Sequence, residues 1–452
     1  MTNTTTTTTL PPTMPLEKHT TMAPESILPK IPDVEENSEL SKERSELPAE
    51  GGVQGWLCVL GAFLAIFCTF GFLNAIGVFQ TYYATTTLSA YTPSDIAWIF
   101  AVQLALMWAP GPIFGRLIDT YGPAPVLYPC SLLCVFSLAM TSLADEYYQI
   151  FLAQGLGFGI GAGGCFSAAM VCTGQWFVRR RALATGVAVT GSSLGGVIFP
   201  IFFHRVMQSV GFDGAVRYTA LLIALPLAAS CFLIRARLPR KDWDWSVMWF
   251  DVTLFKESQF ALFTVGAHFG MWVIFAPLIF LPGMAEQQGF STELALYLLS
   301  IINATSIVGR TVLPYLADGW GVFNVISMSA GMSGVCMLAL WLPFSYHPSH
   351  AGLIVFALAY GFFSGAFVSL LMPCVAKAGG IETLGRRFGT FQIVISMSNL
   401  TGPPILGAIL HRQSDRDFSG LQIFSGVSSI VGCGFLVAAT CSLARKQGSW
   451  KV

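Results

Sequence analysis

The chain reads as an all-α membrane protein with twelve transmembrane helices in two pseudo-symmetric six-helix bundles. Three observations predict this. Of its 452 residues, 54% are hydrophobic and 11% charged, against about a quarter charged in ordinary soluble domains. Apolar runs long enough to cross a bilayer recur throughout the chain after residue 52. The same short marks then return at nearly constant offsets in the second half.

A soluble fold of this size cannot hide so much apolar surface in one core, whereas lipid can solvate the outer faces. Mean hydropathy is +0.64. The formal net charge is zero, so charge points to no nucleic-acid partner. Most of the eleven cysteines lie in apolar runs and none shows zinc-type spacing. They read as small apolar packers, and neither a metal nor a cofactor is expected.

Residues 1–52 differ from the rest. They carry a threonine run, Thr4 to Thr9, with nine acidic and four basic residues and almost no apolar periodicity. This predicts a disordered cytosolic tail and no signal peptide. A window of about 19 residues then places spans near 56–79, 96–114, 124–144, 150–172, 183–203 and 217–236. A second set falls near 259–281, 294–315, 322–343, 351–373, 388–410 and 421–443. The expected domains are thus a first bundle at 53–236, a linker at 237–258, a second bundle at 259–443 and a tail at 444–452.

Basic residues set direction. With the N-terminus inside, fifteen Lys and Arg fall on the cytosolic side, including Arg116, Arg179, Arg180, Arg181, Arg386 and Arg387, against four outside. Both termini are therefore expected in the cytosol. The plasma membrane is the default destination, with the vacuolar membrane as the alternative.

The repeat marks sit at the same ends. Gly115-Arg116-Leu-Ile-Asp119-Thr-Tyr-Gly122 follows span two, and Leu316-Ala-Asp318-Gly-Trp-Gly321 follows span eight. Asp119 and Asp318 are 199 residues apart, as are Gly122 and Gly321. Arg179-Arg180-Arg181 precedes span five, and Gly385-Arg386-Arg387 precedes span eleven. Span five carries Gly191-Ser-Ser-Leu-Gly195, and span eleven Ser398-Asn-Leu-Thr-Gly402.

These residues resemble the major facilitator superfamily. Gly115-x3-Asp119-x2-Gly122 is similar to its signature loop between spans two and three. The resemblance implies that this cluster latches the cytosolic side of an outward-facing state. The gating candidates are Gly115, Arg116, Asp119, Gly122 and Asp318, with Arg180 and Arg386 at the starts of spans five and eleven. A topology-setting role for these charges is the alternative. Nearly the whole chain after the tail also resembles the fungal branch of the monocarboxylate porter family. The family match rests on Glu50-Gly51-Gly52-Val-Gln-Gly55-Trp56, Trp176 to Ala184 with Gly191-Ser192, and Gly309-Arg310 followed by Ala317-Asp318, and the fungal branch on Phe70-Gly71-Phe72 with Gly77-Val78-Phe79-Gln80.

Charge within a span is costly and points to function. Arg310 lies deep in span eight. Asn303, Ser306 and Arg310 are spaced i, i+3 and i+7, so they share a helical face. An arginine there can grip a carboxylate bidentately or snorkel to the interface. In the family's animal lactate carriers an aspartate stands one turn before this arginine, and a lysine in span one helps bind substrate. Here those positions are Ser306 and Asn74, which fits a porter of larger or less anionic solutes. His268, mid-span in seven, can take a proton or simply bond a neighbouring helix. The substrate-binding candidates are Arg310, Ser306, Asn303, Asn74 and His268.

No Walker loop, nucleophile elbow or acidic cluster appears, so neither ATP driving nor an enzyme is expected. The reading is secondary transport of a small organic solute by alternating access, with or without a coupled proton, by a monomer in the bilayer. The solute is an organic anion, a monocarboxylate-like compound or a secondary metabolite. A non-transporting nutrient sensor on the same scaffold is the alternative.

Overall fold

Only structures that satisfy their own backbone can cross hydrocarbon, and each crossing here is a helix. In the computed structural model the described residues are 2–3, 51–240, 242, 250–379, 384–413 and 417–452. Contacts divide the chain into two units, Met1–Ala49 and Glu50–Val452. The tail expected to be disordered lies outside the described residues but for 2–3, and all that follows concerns the second unit.

Among the described residues, eleven stretches are long and apolar enough to span a bilayer. They comprise α1 (Gly52–Thr87), α2 (Asp95–Tyr121), α3 (Ala124–Thr141) and α4 (Tyr147–Trp176), then the 53-residue stretch Arg181–Leu233. After it come α7 (Ser258–Gln287), α8 (Glu293–Trp320), α9 (Val322–Tyr346), α10 (His350–Ala378), α11 (Arg386–Arg412) and α12 (Ser419–Gln447). The long stretch is two helices, because Gly211 has φ 74 and leaves helical geometry. That break separates α5 (181–210) from α6 (212–233) and makes twelve crossings. Sequence reading had left a loop of a dozen residues there. Instead the polar ends of both helices continue their turns and glycine alone takes the left-handed corner.

Three helices are interrupted near their middles, α2 between Leu106 and Gly111 before Pro112. In α1 the turns widen at Phe67–Gly71, and helix resumes only at Ile76. In α7 helix stops at Val273 and resumes at Ala276, with Pro277 in the new first turn. Proline has no N–H to give the preceding turn, so the break falls before it. Freed backbone groups find side-chain partners. Asn74 Nδ2 donates to the Phe70 carbonyl at 3.0 Å, and the Tyr360 hydroxyl to the Ile274 carbonyl at 2.6 Å.

Arg116, Arg180 and Arg386 lie at the same end of the bundle, at the end of α2 and the starts of α5 and α11. We call this the basic end. Glycines decide how closely helices approach, as in other membrane interfaces. On α5, a Cβ on Gly191 or Gly195 would meet the α1 backbone at Phe63 or Gly71. On its other side, Gly186 abuts the α8 backbone at Arg310. Thus α5 is wedged between α1 of its own half and α8 of the other. The second contact between halves pairs α2 with α11, where Gly111 faces Gln392 and Gly389 faces Pro112.

Much of the linker, 243–249 with its tryptophans, lies outside the described residues. Its last part forms a short 3-10 turn, Val252–Lys256, started by Asp251. Arg386 Nε lies 3.3 Å from Asp251 Oδ2, and Arg387 lies 2.6 Å from Glu257. The Asp251 backbone N–H also donates to Thr390 Oγ1 at 3.2 Å. Hydrogen bonds from Thr253, with Arg386 and Arg387 adding their charge, hold the Asp251 carboxyl below its ordinary range.

Candidate functional site between α5 and α8

From Asp318 at the basic end, α8 rises about 1.5 Å per residue, which puts Arg310 about 12 Å deeper and Ser306 about 18 Å. Along this ladder α8 meets α5 of the other half at each turn. At the bottom, the Asp318 carboxylate accepts the Ala182 and Leu183 backbone N–H groups, each at 3.1 Å. These are among the amides a helix leaves unpaired in its first turn, and the positive end of the α5 dipole suits a carboxylate.

Higher up, Arg310 Nη1 donates to the Val189 carbonyl at 2.8 Å and to Ser192 Oγ. A side chain on α8 leans toward the helix start, away from the basic end. The guanidinium accordingly reaches mid-span groups of α5 rather than snorkelling to the interface. Its Nε is buried without a partner. Above it, Ser306 and Ser193 share a hydrogen bond of 2.6 Å. The last rung is Gly196, whose missing Cβ is the space that the Asn303 amide fills. Asn303 itself is buried and bonds back to Leu299.

Asn74, at the break in α1, completes the cluster. Its Nδ2 also contacts the Ser192 carbonyl at 3.3 Å. Ser192 therefore touches Asn74 through its backbone and Arg310 through its hydroxyl. Four of the five predicted substrate residues converge on residues 189–196 of α5. Sequence reading had used Ser192 and Ser193 as repeat marks and missed them as partners. Their signal was a pair of hydroxyls set among glycines in a span.

His268 stands elsewhere. It lies in the contact of α7 with α11 inside the second half, where its Nδ1 is 2.6 Å from Ser398 Oγ and its ring packs beside Trp272. Of the gating candidates, Asp318 crosses between halves, and Arg386 holds the linker through Asp251. Gly115 is buried in α2. Gly122 ends α2 with φ 86, beside the Arg240 guanidinium. Arg180 precedes the first turn of α5. Arg116 and Asp119 lie in the last turns of α2, the segment that packs on α11. No group of three metal-ligating side chains occurs among the described residues.

Comparison with known proteins gives concordant results. The model of the Major Facilitator Superfamily matches residues 58–403. The MFS-type transporter hasB of Aspergillus fumigatus is 41% identical over 91% of this chain and 95% of its own length. The Fujikurins efflux protein of Gibberella fujikuroi is 35% identical over 94% of this chain and 91% of its own. The Aspyridones efflux protein apdF of Emericella nidulans is 38% identical, covering 86% and 78%. Among solved structures, a bacterial homologue of the iron transporter ferroportin in its outward-facing state superposes with a TM-score of 0.63. It covers 86% of this chain and 99% of its own at 14% identity, a likeness of fold alone.

Proposed function

Because the chain belongs to the Major Facilitator Superfamily, we propose that this transporter exports an organic metabolite bearing an acidic group, by alternating access of 53–236 against 259–443. The observation that carries the reading is the convergence of Asn74, Asn303, Ser306 and Arg310 on one stretch of α5, between the halves and beside a helix break. Transporters of this kind hold solutes near the bilayer midplane where helices are discontinuous. The direction follows the names of the relatives, two of which are efflux proteins. The motifs at Trp176–Ala184 and Gly309-Arg310 support a monocarboxylate-porter-like ancestry, with the acidic group as what remains of that specificity.

The mechanism starts from how Arg310 is occupied. Its Nη1 holds a backbone carbonyl and a hydroxyl of α5, both neutral acceptors. An anionic oxygen is a stronger partner for a guanidinium. A solute carrying one competes with these acceptors, and it enters while α5 and α8 stand apart at the basic end, which the proposal places on the cytosolic face of the plasma membrane with both termini. The Asp318 cap then closes that end behind it, and once the solute has left on the opposite face the Val189 carbonyl and Ser192 hydroxyl take back the guanidinium. His268 receives no substrate contact in this scheme. One chain contains the whole site, so a monomer suffices.

The test is metabolite profiling inside and outside cells with the wild-type chain, without it, and with Arg310→Ala, at two external pH values. Accumulation of an acidic product outside wild-type cells alone, at equal protein abundance, supports the proposal. Equal export by Arg310→Ala overturns the site.

A further inference from the structure

A second region, an open apolar groove, has no part in the α5–α8 ladder. At the basic end, α9 and α12 diverge around a groove of about 440 Å³, within the range of about 300–1,000 Å³ common for small-molecule sites. Its walls are Met328, Gly331, Met332 and Val437, and Trp450 stands at its mouth. Met328, Met332 and Val437 are 39%, 37% and 47% exposed, so the trough opens sideways, toward the hydrocarbon. Its depth comes from Gly331, where a Cβ would reach Cys433 Sγ at 3.0 Å. The polar groups at its base are already paired, with Ser327 and Thr440 joined at 3.2 Å and Cys433 bonded to the Ser327 carbonyl.

The mouth is tied down. Asn324 Nδ2 donates to the Trp450 carbonyl at 2.7 Å. The Phe323 N–H donates to the Val452 carbonyl at 3.1 Å, and Val452 is buried against Gly321. This holds Trp450, 71% exposed, at the level where indoles sit in membranes. Around it, Arg445, Lys446 and Lys451 are exposed. No Asp or Glu occurs in 322–346 or 418–452. The charged side chains around Trp450 are therefore all basic.

We propose that this groove binds an anionic phospholipid of the leaflet at the basic end. One acyl chain lies between Met328, Met332 and Val437, and the headgroup rests against Lys446 and Lys451. An apolar trough open to hydrocarbon takes a chain, and the lysine side chains at its mouth select the charge of its headgroup. The inference is independent of what the transporter carries.

The test uses the full chain in nanodiscs of phosphatidylcholine and phosphatidylserine, with lipids retained after extraction counted by native mass spectrometry. Wild type should retain phosphatidylserine in preference. Lys446→Ala/Lys451→Ala should lower that preference by about tenfold while still retaining lipid. Gly331→Leu should lose bound lipid of both kinds. Val437→Trp, at a lipid-facing position, blocks the same space should the glycine variant fail to fold. Equal retention of the two lipids by wild type overturns the proposal. So does a preference that neither the charge variant nor a groove-filling variant changes.

Discussion

Two of the contacts between halves, α5 with α8 and α2 with α11, occupy equivalent places in the repeat, yet they are made differently. Between α5 and α8 the described contacts are a polar ladder: the Asp318 cap, Arg310 on Val189 and Ser192, and Ser193 with Ser306. Between α2 and α11 they are close packing, with Gly111 against the Gln392 amide and Gly389 against Pro112. The basic pair opening α11 turns away from this second seam to the linker, where Arg386 and Arg387 meet Asp251 and Glu257. One seam is thus held by groups that a charged solute can compete for. The other is marked by close approach of glycines to a side chain and to a proline.

That contrast breaks most severely at Arg310. Arg310→Ala should lower transport of an acidic substrate by about 10- to 100-fold, the worth of a charge-assisted hydrogen bond of about 1.5–3 kcal/mol. Initial rates in vesicles check this. Next in size is a steric wedge in the polar seam. Gly186→Ala drives a Cβ into the backbone carbonyl of Arg310, which cannot step aside, whereas Gly111→Ala meets the movable end of Gln392. Overpacking costs about 1–3 kcal/mol, so Gly186→Ala should favour the form open at the basic end and Gly111→Ala should scarcely change it. The readout is labelling of a cysteine placed at Met372, which packs on Gly174 across the halves, in a background without reactive thiols. Equal labelling in the two variants would erase the distinction.

Asp318→Ala should act in the same direction more weakly. Losing a helix cap costs about 0.5–2 kcal/mol, so the same labelling should rise about 2- to 30-fold. The smallest effect belongs to the linker. The Arg386–Asp251 pair is half exposed on the arginine side, and such pairs contribute about 0–1 kcal/mol. Arg386→Ala should therefore leave melting temperature and transport nearly unchanged. A large transport loss there would show that the linker, and not only the polar seam, gates the cycle.

The architecture was legible because the bilayer imposes length and composition on every crossing, and because Asp119 and Asp318 recur at a fixed offset. The shared face of Asn303, Ser306 and Arg310 follows from helical spacing alone. What that face meets did not follow, because local periodicity says nothing of a partner about 120 residues away. Ser192 and Ser193 looked like repeat marks until α5 was seen wedged between α1 and α8. Arg386 was a gating candidate by its place in the repeat, which matches Arg180, and that place did not reveal what it pairs with. Its actual partner, Asp251, belongs to a linker that has no counterpart in the first half. His268 and Arg310 are both polar residues within spans, and only tertiary packing assigns them to different contacts.

The solitary charge of Arg310 also bears on energetics. Among the described residues, no Asp or Glu lies in the middle of any span, so nothing fixed there balances an arriving anion except this arginine. Arg310 stays with its helix while the solute crosses. Each anion released outside without an accompanying proton moves one negative charge down the field of a negative-inside cell. Each 100 mV supplies about 2.3 kcal/mol per charge, or about fifty-fold in concentration ratio. If the solute is an exported anion, as proposed, the resting membrane potential is itself a driving force, and depolarising the membrane should slow transport.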